Sequence, residues 1–173
     1  PGSRGSAGAY PSSLSRKVVQ LYQTLNIIHF LSLTSGQCPF RPKCPSGWIE
    51  FCDRCYTYAP KYTSWDDAQK NCQSLGGHLA SVRDAEEYGV IQKLISDSKG
   101  FGPAWIGGSV AKPEGSWFWI YGDKFKYTNW APGQPDNFGG VQHCLQMNHG
   151  DAKLWDDLNC QTPLPSICAK YLF

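Results

Sequence analysis

Aromatic and polar residues alternate around a turn in "GWIEFCDRCYTYAP" (47–60), a pattern that predicts a pair of strands. The period then lengthens. In "TSWDDAQKNCQSLGG" (63–77), Thr63 or Ser64 can cap a helix, Asp66 and Asp67 occupy its first turn, and Gly76-Gly77 ends it. Trp65, Ala68 and Cys72 fall on one face of that helix, so Cys72 is expected in the core. "HLASV" (78–82) reads as a short strand, and "RDAEEYGVIQKLISDSKG" (83–100) as a second helix with Tyr88, Ile91, Leu94 and Ile95 as its core stripe.

Past Gly102 the helical period disappears. "PAWIGGS", "GSWFWIYG", "FKYTNW", "HCLQMN", "KLWDDLNC" and "PSICAKYLF" are short strand-like runs separated by Pro, Gly, Asn and Asp. Two helices followed by a run of short strands predict an α+β domain.

Residues 1–37 break the pattern. "PGSRGSAGAYPSSLS" is rich in Gly, Ser and Pro with no apolar period and reads as disordered or as an added extension. "RKVVQLYQTLNIIHFLSLTSG" joins two positive charges to an apolar stretch and small residues; it reads as a signal-like fragment or as a short amphipathic helix. Its uninterrupted apolar run falls well short of the ~20 residues of a membrane span. The boundary is set at 37/38, with one domain over residues 38–173.

Composition narrows the function. The chain has 173 residues, 41% of them hydrophobic, enough for one domain with a substantial core. Net charge is only +2 and the longest basic run is Arg16-Lys17, so no nucleic-acid surface is expected. Eight cysteines at irregular spacing predict a disulfide framework and hence a secreted, extracellular protein. Zinc is the competing reading of Cys52-Asp53-Arg54-Cys55, but a second C-x-x-C or H-x-x-x-H is missing. No H-E-x-x-H or G-x-S-x-G is present, and no cysteine is left as a nucleophile once bridges form, so an enzyme is not expected.

Candidate chemistry lies between Gln134 and Cys160. "QPD" sets an amide and a carboxylate on either side of Pro135, and "WDD" places Asp156 and Asp157 behind Trp155. A cis bond before Pro135 would turn the oxygens of Gln134 and Asp136 to one side. Calcium takes six to eight oxygen ligands in irregular geometry, which suits such a loop.

"CPSGWIEFCDRCY", "SWDDAQKNCQSLGGHLASV", "AWIGGS", "QPD", "WDD" and "SICAK" occur in the order and at the spacing of a C-type lectin-like domain. The resemblance covers residues 44 to about 170 and is nearest in style to secreted lectins of bony fish and type II antifreeze proteins. It implies two helices with small antiparallel sheets, paired terminal strands and a long loop region. It also implies bridges Cys72–Cys168, Cys144–Cys160 and Cys44–Cys55. Loops of ~100 and ~15 residues closed in this way contribute at most about 4.7 and about 3 kcal/mol. Cys38 and Cys52 are left over; either they pair, or one links two chains into a homo-oligomer.

The resemblance further implies a calcium site at Gln134, Asp136, Gln142, Asp156 and Asp157. Two positions depart from the family pattern: Gln142 stands where Glu is common and Asp156 where Asn is common. Three negative charges are kept, from Asp136, Asp156 and Asp157, while Gln142 offers one carbonyl oxygen and no bidentate grip. In sugar-binding members the same groups meet the ligand, here Gln134, Asp136, Gln142 and Asp156, and the order Gln-Pro-Asp goes with galactose-type glycans. Phe138 is the nearest aromatic for the sugar's apolar face or else a loop anchor, while Trp130 and Trp155 are assigned to the core. Three roles stay open: a calcium-dependent galactose lectin, an antifreeze protein binding an ice crystal surface, and a metal-independent protein-binding module.

Overall fold

The computed structural model describes residues 43–111 and 115–172; the expectations for residues 1–37 and for Cys38 lie outside the described residues. The chain divides into two units, Pro1–Phe40 and Arg41–Phe173, and all described residues lie in the second. Strands β1 (Ile49–Phe51) and β2 (Arg54–Thr63) form the expected hairpin, with Cys52 at positive φ in its turn. Helix α1 (Trp65–Ser74) starts where Ser64 Oγ accepts the Asp67 N–H at 3.3 Å and ends before Gly76, whose φ of +77° suits glycine. Helix α2 (Ala85–Asp97) is capped by Asp84, which accepts the Glu87 N–H at 2.8 Å. Tyr88, Ile91, Leu94 and Ile95 are all buried, and Cys72 is fully so.

The remaining strands are β3 (His78–Leu79), β4 (Ala104–Ala111), β5 (Ser116–Trp119), β6 (Cys144–His149), β7 (Leu154–Leu158) and β8 (Leu164–Tyr171). They hydrogen-bond in the order β1-β2-β8-β4-β6-β7, with β3 on β8 and β5 on β4. Pairing is antiparallel except where Trp105 of β4 meets Ser166 of β8. The β2–β8 register shifts between Ala59 and Thr63, where Pro60 has no N–H to donate. Gly107 is required by close approach, since a Cβ there would lie 2.5 Å from the Leu79 carbonyl oxygen.

Bridges Cys44–Cys55, Cys72–Cys168 and Cys144–Cys160 are all formed, and Cys52 is also disulfide-bonded. Cys72–Cys168 ties α1 to β8 across 96 residues of chain, the span over which a bridge restricts the unfolded state most.

One expected strand is absent. Residues 125–130 form no ladder; only Trp130 makes a single bridge, to Trp155. Their alternation has another cause. Phe125, Tyr127 and Trp130 pack around the fully buried Trp155 at ring-centre distances of 6.2, 5.5 and 5.8 Å, so aromatics spaced two and three residues apart report a loop wrapped on an indole. Trp119 and Tyr88 complete the cluster.

A buried polar network joins β2, α2 and β8 to the loops that carry Ser81 and Asp123. The Arg54 guanidinium, fully buried, donates to Ser81 Oγ and to the Tyr171 hydroxyl at 2.7 Å each, pairs with Asp123, and lies 3.7 Å from Glu87. Glu87, also fully buried, accepts from the Tyr56 hydroxyl and pairs with Arg83 at 2.9 Å. Burial alone would raise the Asp123 pKa, but hydrogen bonds from Ser81 and Tyr171 and the charge of Arg54 outweigh it and hold the carboxyl below its usual range. A lowered acid is ionised more readily when folded. Its stabilisation is therefore complete above the unfolded value near ~3.9 and lost as pH falls through the lower folded value. Asp123→Asn is expected to destabilise the domain by about 1–3 kcal/mol at neutral pH, and to flatten the fall in stability below about pH 4. Urea titrations from pH 2 to 7 measure this; an acid limb unchanged from that of the unsubstituted protein would refute it.

Candidate functional site

The β6–β7 hairpin carries one half of the site. Register sets Asp157 opposite Leu145 and Asp156 opposite Gln146, and successive residues of a strand face opposite ways. Asp156 therefore meets its cross-strand partner: Gln146 Nε2 donates to Asp156 Oδ2 at 2.6 Å, and His149 Nδ1 lies 3.2 Å from the same oxygen. Asp157 faces the loop. The Cys144–Cys160 bridge closes the hairpin just beyond the Cys144–Leu158 pair, which keeps these acids in fixed register.

The loop supplies the other half. It is pinned at its start by Ala131 N–H on the Trp155 carbonyl at 2.8 Å, and the Gln134–Pro135 bond is cis. Asp157 holds it at two points, Oδ1 accepting the Asp136 N–H at 3.0 Å and Oδ2 the Asn137 N–H at 2.8 Å. The Phe138 N–H is shared between Asp136 Oδ1 at 3.1 Å and Gln142 Oε1 at 2.7 Å. Asn137, with φ +44°, closes the ring by accepting the Gln142 N–H at 3.0 Å. Loop backbone amides thus point inward at the carboxylates.

Asp136, Asn137, Gln142 and Asp157 line one cavity of about 310 Å³, shared with Pro135, Val110, Gly115, Trp117 and His143. That volume is at the lower end for small-molecule sites, ~300–1,000 Å³. Gln134 is half-buried, with Oε1 accepting the Asp136 N–H at 3.0 Å. Burial raises the Asp156 pKa, Gln146 and His149 oppose that, and the charges of Asp157 and Asp136 add to it. Like charges converge here, and Asp156 Oδ1 is buried with no hydrogen-bond partner.

Of the residues expected to meet a sugar or metal, Asp136, Gln142 and Asp157 are brought into one cavity, while Gln134 and Asp156 do not line it. Phe138 does not line the cavity, and its side chain is 77% exposed. Sequence reasoning missed Asn137, Gln146 and the wall formed by Val110 and Trp117. Asn137 could have been found, since Asn in a turn directly after "QPD" favours the left-handed conformation. Trp117 carried no signal separating it from the other tryptophans.

Among the described residues no three His, Cys, Asp or Glu side chains form a metal-holding group by themselves. A cation here would draw on amide oxygens as well, the mixed donor set calcium accepts. The residues fit such an ion: carboxylates repel one another at the site, and a buried Oδ1 has no partner.

A disulfide-clamped α+β scaffold presenting a loop of converging oxygen donors defines a ligand-binding domain. The chain belongs to the C-type lectin domain family, whose model matches residues 61–170. It is 41% identical over 127 residues to ladderlectin of Oncorhynchus mykiss, covering 73% of this chain and 67% of that protein. It is 38% identical over 130 residues to the galactose-specific lectin nattectin of Thalassophryne nattereri, covering 75% and 81%. The solved herring type II antifreeze protein superposes with a TM-score of 0.70 at 37% identity, over 75% of this chain and 100% of that one. The domain is a binding module and not an enzyme.

Proposed function

We propose that the domain binds terminal galactose-type glycans at the 134–157 loop with the help of one calcium ion. The observation that carries this reading is the meeting of Asp136, Gln142 and Asp157 around one cavity, next to the buried, unpartnered Oδ1 of the adjacent Asp156, whose charge Asp136 and Asp157 repel. Gln134, Asp136, Gln142, Asp156 and Asp157 would hold the ion. When bound, it supplies an electrophilic centre for two vicinal sugar hydroxyls. The chain does the rest: Asp136 and Asp156 accept hydrogen bonds from hydroxyl groups, while the amides of Gln134 and Gln142 donate to them. Similarity to a galactose-specific lectin supports the sugar class. The disulfide framework supports an extracellular location, and no helix among the described residues is long and apolar enough to cross a membrane.

The test is retention on immobilised galactose in calcium with release by chelator and by lactose. Retention that persists in chelator would leave a metal-independent module. Paired substitution Gln134→Glu with Asp136→Asn reverses the order of amide and acid around Pro135. It is expected to shift preference from galactose toward mannose on a glycan array; an unaltered profile would refute the hydroxyl-orientation argument.

An ice-binding role is the second reading, favoured by the match to the whole herring antifreeze chain. Thermal hysteresis of the purified protein decides between the two.

A further inference from the structure

We propose that a second cavity, between the end of α2 and the β6–β7 turn, binds a small carboxylic acid with an apolar body, and does so without calcium. It encloses about 390 Å³, within the ~300–1,000 Å³ usual for small-molecule sites. Ile95 and Phe101 give it an apolar side; Gln92, Ser96, Asn148 and Lys153 give it a polar one. None of these residues takes part in the loop cavity.

The anchor is Asn148, only 6% exposed and held at φ +59° near the end of β6. Its neighbours fix the orientation of its amide. The Lys153 carbonyl can only accept, so Gln92 turns its Nε2 toward it, at 3.3 Å, and the same Nε2 donates to Asn148 Oδ1 at 3.1 Å. That leaves Asn148 Nδ2 on the far side of the amide, where it meets no acceptor among the described residues. A buried amide with two unused N–H groups beside a cavity calls for an acceptor in that cavity. Tyr88 steadies the cradle. Its hydroxyl donates to the Lys153 carbonyl and accepts the Asn148 N–H at 3.3 Å, and its ring packs edge-on against Trp155.

The rest of the lining sets the class of ligand. No carboxylate borders the cavity, and the exposed Lys153 makes no ion pair among the described residues. Amide donors and a cation with no acid beside them favour an anion over a neutral polyol, whose hydroxyl protons need acceptors as well. Ile95 and Phe101 then call for an apolar body behind the carboxylate. Phe101 is 87% exposed and has apolar area to cover when such a body packs on it. Gly100 pins the chain just before it: its N–H donates to the Ile95 carbonyl at 2.8 Å, and a Cβ there would lie 2.8 Å from the Tyr58 ring.

The experiment titrates phenylacetate into the isotopically labelled full chain and follows backbone amide shifts by NMR, once in calcium and once in chelator. Saturable shifts are expected at residues 92–96 and 148–153, with equal affinity in both conditions and a Kd in the millimolar range open to so small a ligand. Acetate lacks the apolar body and phenylacetamide lacks the charge; each should bind at least about tenfold more weakly, the scale of a lost apolar group or charge-assisted bond. Asn148→Asp keeps the left-handed backbone and the acceptor for Gln92 but exchanges two N–H donors for a negative charge. It is expected to weaken phenylacetate at least about tenfold, the scale of one lost hydrogen bond to a charged group. Should Asn148→Asp fail to fold, Ser96→Trp decides, because it fills the cavity from an exposed helix position and must abolish the shifts. The assignment is overturned if the unsubstituted protein shows no such shifts or loses them in chelator. It is equally overturned if acetate or phenylacetamide matches phenylacetate, or if Asn148→Asp, or Ser96→Trp in its place, binds as the unsubstituted protein does.

Discussion

Arg54→Ala is expected to destabilise the domain by about 3 kcal/mol, the low end of the range for removing one partner of a buried charge pair. Arg54 is fully buried and reaches Ser81, Tyr171, Asp123 and Glu87, so its loss strips partners from two acids at once. The low end applies because Glu87 keeps Arg83 at 2.9 Å and Asp123 keeps hydrogen bonds from Ser81 and Tyr171. Urea denaturation at pH 7 measures the loss. A midpoint change equivalent to less than about 1 kcal/mol would mean that the network is worth no more than an exposed ion pair. Arg54→Met combined with Asp123→Asn and Glu87→Gln should recover part of the loss, since uncharged groups need no buried counterion.

Asp157→Asn is expected to lower calcium affinity beyond the about 100-fold that loss of a supporting hydrogen-bond partner costs a metal site. Two effects add. One of three negative charges disappears, and the asparagine amide offers a single acceptor where the two carboxylate oxygens now hold the N–H groups of Asp136 and Asn137. Either amide left unpaired costs about 1–3 kcal/mol of loop order. Calcium titration by calorimetry, beside Asp151→Asn as an exposed acid of the same hairpin, reads the difference. Equal affinity in Asp157→Asn and the unsubstituted protein would remove Asp157 from the site, and with it the proposed calcium dependence.

The helices were legible because their signals are local. Ser64 caps within three residues, and the stripe Tyr88, Ile91, Leu94 and Ile95 needs only its own period to be read. The segment at 125–130 misled because closely spaced aromatics occur both in strands and in loops laid over a large ring; only the position of Trp155 distinguishes them. The two parts of Phe138 go separate ways, which its place in the sequence does not show. Its backbone sits at the centre of the loop while its ring leaves it.

What the chain determined by itself was the inventory: caps, stripes, cysteines in register, and an amide and three acids placed near a proline and a tryptophan. These follow from short-range rules, in which a residue's neighbours set its conformation. Only the tertiary structure decided which face each acid takes, because Asp156 and Asp157 are adjacent in sequence and parted by the pleat of β7. It also decided that a tryptophan from β5 joins Val110 and the loop around one cavity. Contacts between residues twenty to forty positions apart depend on strand pairing and core packing, and no local pattern encodes them.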